Sequence, residues 1–430
     1  MKEVKLKGLD QNCYVEDLKN GLNIILVPYE NKQNYFITYA TFYGSDTNSF
    51  VPYDSKKEIT VPNGIAHFLE HKCFEQEDGV DPFTFFSESG TGANASTSYD
   101  STQYICYGTK EFNKNLRFLL KYVNEPYFTD ENVLKEKGII KEEIKMYDDI
   151  PEAVLQYKIR ENLYQVHPHR IDIAGKCSDI DKITKEDLYK CYNTFYNPNN
   201  MFIIVAGNFD KDEALSIIKD ELEKKENRID KYNIKDYKEP KTVFKEEDEF
   251  TSNIKVPKIA LGYKFSLKDL KLDDSIESDL YLSIFTTLLF GSSSLFKERV
   301  RNKKLMTSFY TEWDYIKDYR SLLIFSETEN PELLIDEVER ELKDITISKD
   351  DFERIKKVWI ANEVKMIDYV ETTVNNMYDD MIKYKRVIDN KVDIIRKLNL
   401  NTLEDIIGRM KFENRSKIIL LPTKIITKKK

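Results

Sequence analysis

Two of the four histidines in this chain of 430 residues stand four positions apart, in the run His67-Phe68-Leu69-Glu70-His71. If this run is helical, His67, Glu70 and His71 share one face, because positions i, i+3 and i+4 are neighbours on a helix. Both imidazoles can then bind one Zn²⁺ at about 2.0–2.1 Å. Glu70 is placed to take a proton from an attacking water, while Phe68 and Leu69 fall on the opposite face and can anchor the helix in the core.

Zinc supplies the chemistry that this spacing favours, since it polarises a carbonyl and lowers the pKa of bound water towards about 7. The motif therefore predicts peptide hydrolysis at neutral pH. The alternative is a helix with two solvent-facing histidines and a glutamate in a salt bridge. A catalytic zinc with two histidine ligands also needs a third protein ligand and an open position, so a further donor must come from elsewhere in the chain.

The segment 135–149 is the richest acidic stretch with a helical pattern. Glu136 and Glu143 are seven residues apart, which is two turns, and they share a face with Ile140 between them. Glu142 points about 100° away from Glu143. One carboxylate of the pair Glu136 and Glu143 can bind zinc, and the other can orient a ligand through a hydrogen bond. The alternative is a solvated amphipathic helix with Glu–Lys pairs.

Strands and helices follow a similar order in the two halves of the chain. Runs rich in β-branched and aromatic residues predict strands, and apolar residues at helical spacing predict helices. In the first half, the predicted strands are 21–27, 35–43, 93–99, 103–107 and 201–206, and the predicted helices are 65–74, 112–124, 130–148, 151–165, 184–195 and 211–225. In the second half, the predicted strands are 258–265, 307–316, 321–327 and 417–421, and the predicted helices are 274–289, 293–304, 331–343, 349–369 and 371–386.

This order predicts a duplicated α+β fold, in which each domain is a mostly antiparallel sheet packed with helices. Residues 226–250 are charged and have little apolar periodicity, so they are the best linker candidate, although part of them can form an edge strand. We therefore expect an N-terminal peptidase domain over 1–228 that holds the zinc site, a linker over 229–250 and a C-terminal domain without zinc ligands over 251–430. Its terminal Lys428–Lys430 is expected to be a solvated tail.

Composition narrows the class of protein. Hydrophobic residues make up 41% of the chain, enough for a sizeable core, and 66 basic against 75 acidic residues give a net charge of −9, which argues against a nucleic-acid partner. No apolar run approaches the roughly 18–20 residues of a membrane span, and the first residues lack the pattern of a secretory signal. Five cysteines without C-x-x-C spacing indicate free thiols in a reducing compartment, so we expect a cytoplasmic protein.

The remaining histidines and two of the cysteines have simpler interpretations. His167 and His169 flank a proline and lack helical spacing, which favours a surface loop over a second metal site. Cys73 lies about 200° around the predicted helix from His71, and Cys106 lies in a predicted strand. We expect both of these thiols to lie in the core.

Five segments of the first half resemble sequence blocks of the pitrilysin/insulinase family, which includes mitochondrial processing peptidase. They are Gly64–His71, Gly92–Thr97, Glu136–Ile144, His167–Pro168 and Phe195–Met201. H-x-x-E-H, the reverse of the thermolysin-type order, is the inverzincin signature. The length of the chain and the run around 64–78 look most like the bacterial members of the YmfH type. The resemblance implies a zinc peptidase with duplicated LuxS/metallohydrolase-like domains.

The resemblance also implies a role for each matching residue. His67 and His71 would be zinc ligands, with Glu143 as the third. Glu70 would be the general base, and Glu136 would be the second acidic residue of the catalytic site, supporting the metal.

The strand Gly92–Thr97 would offer its edge to a peptide substrate that adds as an extra strand. Asn94 would help to hold the substrate backbone, with Ala95 beside it as a second substrate-binding residue. The alternative for Asn94 is an ordinary residue of a turn or strand end.

The second half departs from the family pattern. Active members often carry an arginine and a tyrosine that bind the substrate carbonyl, after a segment like S-x-L-F-x-x-L-R-x-x-x-G-L-A-Y. In the corresponding run Ser292–Thr307, Val300 stands in the position of the arginine and Thr307 in that of the tyrosine. Arg299, Arg301 and Tyr310 are near, but a shift of one residue turns a helical side chain by about 100°, so the role is assigned to none of them.

The missing donors have a consequence for assembly, because such families build a closed chamber from two pairs of duplicated domains. This chain would supply one half, with a paralogous subunit in a heterodimer, or a second copy in a homodimer, supplying the other. The leading hypothesis is a zinc endopeptidase that cuts short or unfolded peptides in this chamber, for peptide turnover or maturation. The alternatives are a non-catalytic scaffold or peptide-binding subunit of such an assembly, and a module that holds zinc only structurally.

Overall fold

The computed structural model describes residues 1–423, so the predicted tail Lys428–Lys430 lies outside the described residues. The strands are β1 (Lys2–Lys5), β2 (Asn12–Asp17), β3 (Asn23–Pro28), β4 (Tyr35–Thr41), β5 (Ser49–Phe50), β6 (Ile59–Thr60), β7 (Gly92–Thr97), β8 (Thr102–Gly108), β9 (Met201–Gly207), β10 (Glu247–Ser252), β11 (Lys258–Ser266), β12 (Ser308–Ile316), β13 (Tyr319–Glu327) and β14 (Arg415–Pro422). The helices are α1 (Ile65–Cys73), α2 (Pro82–Glu88), α3 (Phe112–Asn124), α4 (Asp130–Asp148), α5 (Pro151–Leu163), α6 (Cys177–Ile180), α7 (Lys185–Phe195), α8 (Lys211–Leu222), α9 (Leu267–Leu270), α10 (Ile276–Phe290), α11 (Leu295–Asn302), α12 (Pro331–Lys343), α13 (Lys349–Met366), α14 (Val370–Tyr384), α15 (Lys391–Lys397) and α16 (Leu400–Ile407).

The first compact unit comprises residues 1–145, 172–236 and 362–392. Its seven-stranded sheet has the order β1-β2-β3-β9-β4-β8-β7, and only β3 and β9 run parallel among its paired neighbours. Residues of α1, α3, α7 and α8 form a core on one face, and residues of α14 form a core on the other. Every residue of β4 and β9 is buried, because helices cover both faces of the sheet centre.

Among the described residues, the second compact unit comprises 146–171, 237–361 and 393–423. Its five-stranded sheet has the order β10-β14-β11-β13-β12, with β10 and β14 parallel and the other pairs antiparallel. Residues of α10, α11, α12 and α16 pack on one face, and those of α5 pack on the other. The sheet therefore lies between two helical layers, as in the first unit.

The predicted α+β architecture with two similar units is present, and the long predicted helices and strands are found close to their predicted bounds. Each of the two large sheets is mostly antiparallel, as predicted, and one strand pair in each runs parallel. The prediction missed the strands β1, β2, β5 and β6 and the helices α2, α6, α9, α15 and α16. Part of the predicted linker forms the edge strand β10, an arrangement that its charge pattern left open.

The two units are not continuous in sequence. Helix α5, from the first half of the chain, packs on the second sheet through Leu155, Ile159 and Leu163. Helix α14, from the second half, packs on the first sheet. Apolar side chains on each of these helices pack on the sheet that the helix covers. The two spatial units therefore cannot be separated by cutting the chain at a single point. The boundaries 1–228, 229–250 and 251–430 stay a prediction of organisation along the sequence.

One helical stretch among the described residues, Ile276–Asn302, is long and apolar enough to cross a membrane by length and composition alone. Most of its apolar window is buried inside the second unit, where α10 and α11 contribute to the core. A mostly buried core helix passes the same test of length and hydropathy, so the stretch is explained by the core of this unit.

Candidate metal centre

Helix α1 presents the H-x-x-E-H motif from a tightly fixed starting point. It follows Gly64, whose φ of 83° lies in the left-handed region that favours glycine. A Cβ atom at this position would collide with the carbonyl oxygen of Ala174. Phe68 and Leu69 are fully buried, as predicted, and anchor the opposite face of the helix. Because its start and its apolar face are both held, the face of α1 that carries His67 and His71 has a defined orientation.

Helix α4 places two of its glutamates next to α1 and directs a third away from it. Glu136 and Glu143 both approach His71, whereas Glu142 points outward and forms a salt bridge with Lys145 at 2.6 Å. Ile140, between the two inward glutamates, is fully buried and fixes the rotation of the helix. The two-turn spacing thus places Glu136 and Glu143 on the same side, as the sequence predicted.

Three side chains converge in a geometry that fits a zinc ion. One ligand atom from each of His67, His71 and Glu143 lies within 4.8 Å of the others. His67 Nε2 is 3.7 Å from Glu143 Oε1, and His71 Nε2 is 3.5 Å from Glu143 Oε2. Ligands held tetrahedrally at about 2.0–2.1 Å from one ion lie about 3.3–3.4 Å apart, so the spacing needs only small adjustments.

The second nitrogen of His71 is held by Glu136, whose Oε1 lies 2.9 Å from His71 Nδ1. In the tautomer that donates this hydrogen bond, His71 Nε2 carries the lone pair and faces Glu143. Burial lowers the pKa of His71, but the hydrogen bond and charge of Glu136 outweigh it and raise the pKa above its ordinary value. Burial and the nearby His71 lower the pKa of His67 to about 3, so His67 offers a neutral imidazole.

Glu70 lies beside this group in a mostly buried position. Burial raises the pKa of its carboxyl group, which is the direction expected of a group that accepts and returns a proton. The hydroxyl of Thr97 donates a hydrogen bond of 2.6 Å to Glu70 Oε2 and orients the carboxylate. Sequence reasoning missed this contact, although Thr97 closes the Gly92–Thr97 block and is three residues beyond Asn94.

Strand β7, which carries Asn94 and Ala95, is the edge of the first sheet among the described residues. It pairs with β8 on one side, and it packs near α1. Asn94 is exposed, and its side-chain oxygen accepts a hydrogen bond of 2.9 Å from the backbone N–H of Ala95. The residues predicted to bind the substrate backbone therefore lie on an edge next to the helix that carries His67 and His71.

Within residues 1–423, the second unit has no unpaired basic side chain at the position that corresponds to the family arginine. Val300 is fully buried in the core, and the preceding Arg299 forms an ion pair of 2.9 Å with Glu337. Thr307 lies just before β12, where its backbone N–H donates to Glu327. Tyr310 is half exposed on β12 and stacks on a neighbouring ring. Val300, which stands in place of the family arginine, is thus part of the core packing of α11.

His169 lies in a buried cluster of the second unit and not on the surface, so the prediction of a surface loop is wrong for this residue. Only 3% of it is exposed, and its Nε2 lies 3.0 Å from Asp314 Oδ1. Tyr164 donates to Asp314 Oδ2 at 3.1 Å, and Arg160 Nε donates to Asp314 Oδ1 at 3.2 Å. A partner 145 residues away along the chain leaves no local signal in the sequence around His169.

A pair of histidines and a glutamate around one point, with a buried glutamate alongside, is an arrangement typical of metallopeptidases, and here it lies on an α+β fold. A family model described as "Insulinase (Peptidase family M16)" matches residues 50–176, which include the whole candidate site. A second, described as "Peptidase M16 inactive domain", matches residues 182–358. The chain belongs to the M16 insulinase family of zinc peptidases.

Two bacterial relatives extend the similarity over nearly the full length. The uncharacterized zinc protease YmfH of Bacillus subtilis is 35% identical over 94% of this chain and 95% of its own length. The zinc protease PqqE of Helicobacter pylori is 25% identical over 89% of this chain and 88% of its own length. The resemblance to YmfH-type members that the sequence suggested is therefore confirmed.

Solved structures agree on the fold. An M16-like peptidase from Alicyclobacillus acidocaldarius is 29% identical and matches with a TM-score of 0.88 over 96% of this chain and 99% of its own. A protease from Helicobacter pylori is 22% identical, with a TM-score of 0.81 over 96% of this chain and 100% of its own. At that lower identity the likeness shows the fold alone.

Proposed function

We propose that this chain is the catalytic subunit of a zinc-dependent endopeptidase that hydrolyses short or unfolded peptides in an enclosed chamber. The observation that carries the proposal is the convergence of His67, His71 and Glu143 within 4.8 Å, with Glu70 buried beside them. Such a set offers three protein donors to one ion and keeps a separate carboxylate for proton transfer. Turnover of peptides and maturation of a small peptide product are both compatible tasks.

Each residue of the site has a defined task in this proposal. Zinc, when bound by His67, His71 and Glu143, would polarise the scissile carbonyl and make water a stronger acid. Glu70 takes the proton of the attacking water and returns it to the leaving amine, and its burial favours the protonated intermediate state of the carboxyl group. Glu136 holds the orientation and tautomer of His71 through its hydrogen bond.

Peptide binding is assigned to the edge of β7. An extended substrate adds as a further strand, so that backbone hydrogen bonds provide affinity without selecting a sequence. Asn94 and Ala95 lie on this edge, and Asn94 can release its bond to the Ala95 N–H in favour of the substrate backbone. This arrangement suits extended or unfolded peptides, because a folded segment would not offer a free edge.

The substrate-carbonyl donors are assigned to another subunit, because Val300 and Thr307 occupy the corresponding positions here. A paralogous chain with an intact arginine and tyrosine would complete the site in a heterodimer. A homodimer would bring the same two substitutions and leave the donors missing. Light scattering of the chain with and without such a paralogue measures this assembly directly.

A cytoplasmic location is part of the proposal. The five cysteines are unpaired, and four of them are buried, as free thiols in a reducing compartment would be. Burial raises the pKa of Cys73 to about 12, which keeps this thiol protonated and unreactive. Fractionation of cells that express the tagged chain would test the location.

The substitution Glu70→Gln tests the catalytic role. We expect it to lower the rate of cleavage of a random peptide library by about 10²–10⁴-fold, because the general base is lost, while zinc content stays unchanged. Glu77→Gln, an exposed residue four positions beyond Cys73, serves as the matched control and should cleave normally. Unchanged cleavage by Glu70→Gln would show that the assignment of the base is wrong.

A further inference from the structure

A groove of about 730 Å³ lies in the second unit, between the ends of α12 and α16 and the beginnings of β10 and β14. Its volume is within the range of about 300–1,000 Å³ that is usual for ligand sites. None of the residues of the candidate metal centre belongs to this unit. The groove therefore needs an explanation of its own.

The floor of the groove is apolar and the rim is acidic. Leu342, Ile407, Met410 and Phe412 provide apolar surface. The charged residues around them are Glu246, Glu247, Glu339, Glu413, Lys343 and Arg415. Four carboxylates against two cations give this rim a net charge of −2, so it favours a ligand that is positively charged.

One buried polar group of the groove has unused hydrogen-bonding capacity among the described residues. Tyr263 is only 1% exposed, and its hydroxyl has no hydrogen-bond partner. Glu339 is already paired, because its Oε1 lies 2.7 Å from Arg415 Nη2. Buried polar groups normally have partners, and an ammonium or guanidinium group would supply a donor to the Tyr263 hydroxyl.

The groove includes Glu246 and Glu247, at the start of a strand with an unpaired edge. Strand β10 pairs with β14 on one side, and no strand within residues 1–423 pairs with its other side. Glu247 and Glu249 are exposed along this edge. An extended peptide that paired with β10 would therefore run beside carboxylates and pass the mouth of the groove.

We propose that this groove binds a basic, extended segment of the peptide substrate, with a lysine or arginine side chain across the apolar floor. The aliphatic stem of that side chain packs on Ile407 and Phe412, and its cation lies between Glu246 and Glu413. The inference rests on the proposed peptidase function, because it treats the bound peptide as substrate. It predicts a preference for basic peptides that the candidate metal centre alone does not explain.

The test measures binding of the fluorescein-labelled peptide Gly-Ser-Lys-Leu-Lys-Ser-Gly-amide by fluorescence anisotropy, in a Glu70→Gln background that prevents cleavage. We expect the double substitution Glu246→Lys/Glu413→Lys to raise Kd at least tenfold. Both residues are exposed, so the fold should tolerate the change. The control Glu277→Lys/Glu329→Lys changes the net charge equally at exposed sites outside the groove and should leave Kd within twofold.

A second peptide, with norleucine in place of both lysines, keeps the apolar stem without the cation. It should bind at least tenfold more weakly than the lysine peptide and be insensitive to the groove substitutions. Equal losses in the groove variant and the control would indicate general charge attraction and overturn the proposal, as would unchanged Kd values in both. A concentration-dependent dimer that only the groove substitutions abolish would make a second copy the occupant, and would also overturn it.

The kinetic counterpart separates this proposal from the peptidase assignment. In the chain with Glu70 intact, the groove substitutions should raise KM for a long lysine-containing substrate about tenfold and leave kcat unchanged. If Glu70→Gln cleaves normally, the catalytic assignment fails, and the Kd values are then compared after chelation of zinc, so that they still decide the groove. If cleavage depends on Glu70 and neither Kd nor KM responds to the groove substitutions, the groove proposal alone fails.

Discussion

The carboxylate of Glu136 determines which nitrogen of His71 faces the other ligands. Its hydrogen bond of 2.9 Å to Nδ1 leaves Nε2 directed at Glu143. His67 has no equivalent support, since its Nδ1 is buried without a hydrogen-bond partner among the described residues. The orientation of the histidines in the candidate metal centre therefore depends on Glu136, which holds His71, while no side chain within residues 1–423 holds His67 in the same way.

At the scale of single residues, we predict that Glu136→Gln lowers the affinity for zinc by about 10–100-fold, the usual effect of losing a carboxylate that orients a histidine ligand. Competition with a chromophoric chelator at constant pH measures this affinity without reference to activity. Glu142→Gln is the matched control, because Glu142 lies on the same helix but pairs outward with Lys145. Equal zinc affinities for the two variants would contradict the role of Glu136.

At the scale of secondary structure, Asp314 of β12 connects three elements of the second unit. It accepts hydrogen bonds from Tyr164 and Arg160 around α5 and contacts His169 in the turn that follows. Burial alone would raise the pKa of Asp314, but the charges of His169 and Arg160 and the hydrogen bonds lower it well below its ordinary value. The cluster is therefore a pH-dependent contribution to stability.

The sign follows from proton binding. The unfolded chain protonates Asp314 near its ordinary pKa of about 4, and the folded chain does so only at lower pH. The contribution of Asp314 to the free energy of unfolding is thus complete above about pH 5 and decreases as the pH falls. We predict a loss on the order of 1 kcal/mol between pH 6 and pH 3 from this residue.

Urea unfolding of Asp314→Asn across this range measures the effect. The variant should be less stable by about 3–5 kcal/mol at pH 7, because removal of one buried partner leaves the others without compensation. Its stability should also fall less on acidification than that of the parent chain. Asp318→Asn, an exposed position in the adjoining turn, should keep the parent's pH dependence. Parallel pH profiles for Asp314→Asn and the parent would contradict the assignment.

At the scale of the whole molecule, the two units differ in what they bring to catalysis. The first contains all of the candidate metal ligands, Glu70 and the β7 edge, whereas the second has replaced the family arginine with the buried Val300. A valine side chain has no hydrogen-bond donor, so no change of rotamer can give Val300 the role of the arginine. This difference is the reason that the proposed function assigns the missing donors to another chain.

We predict that the purified chain alone cleaves peptides poorly and that a paralogous subunit with an intact arginine and tyrosine restores activity by at least tenfold. Light scattering should show the mass of a 1:1 complex in the active mixture and not in the chain alone. A paralogue with its arginine replaced by alanine is the control, since it should still assemble but not activate. Full activity of the isolated chain would contradict the heterodimer.

The sequence by itself determined the local chemistry and most of the secondary structure. The spacing of His67, Glu70 and His71 is a property of one helix, and the two-turn spacing of Glu136 and Glu143 is a property of another. Both follow from helical periodicity alone, which is why these residues were predictable from one chain. Amphipathic and β-branched patterns likewise located the main strands and helices.

Only the tertiary structure decided which elements meet. The bonds between Thr97 and Glu70 and between His169 and Asp314 join residues 27 and 145 positions apart, so no local pattern announces them. The placement of α5 and α14 on sheets from the other half of the chain depends on which apolar surfaces fit together. The acidic groove also assembles from distant segments. Periodicity reports which face of an element is buried, whereas its partner is determined by packing across the whole fold.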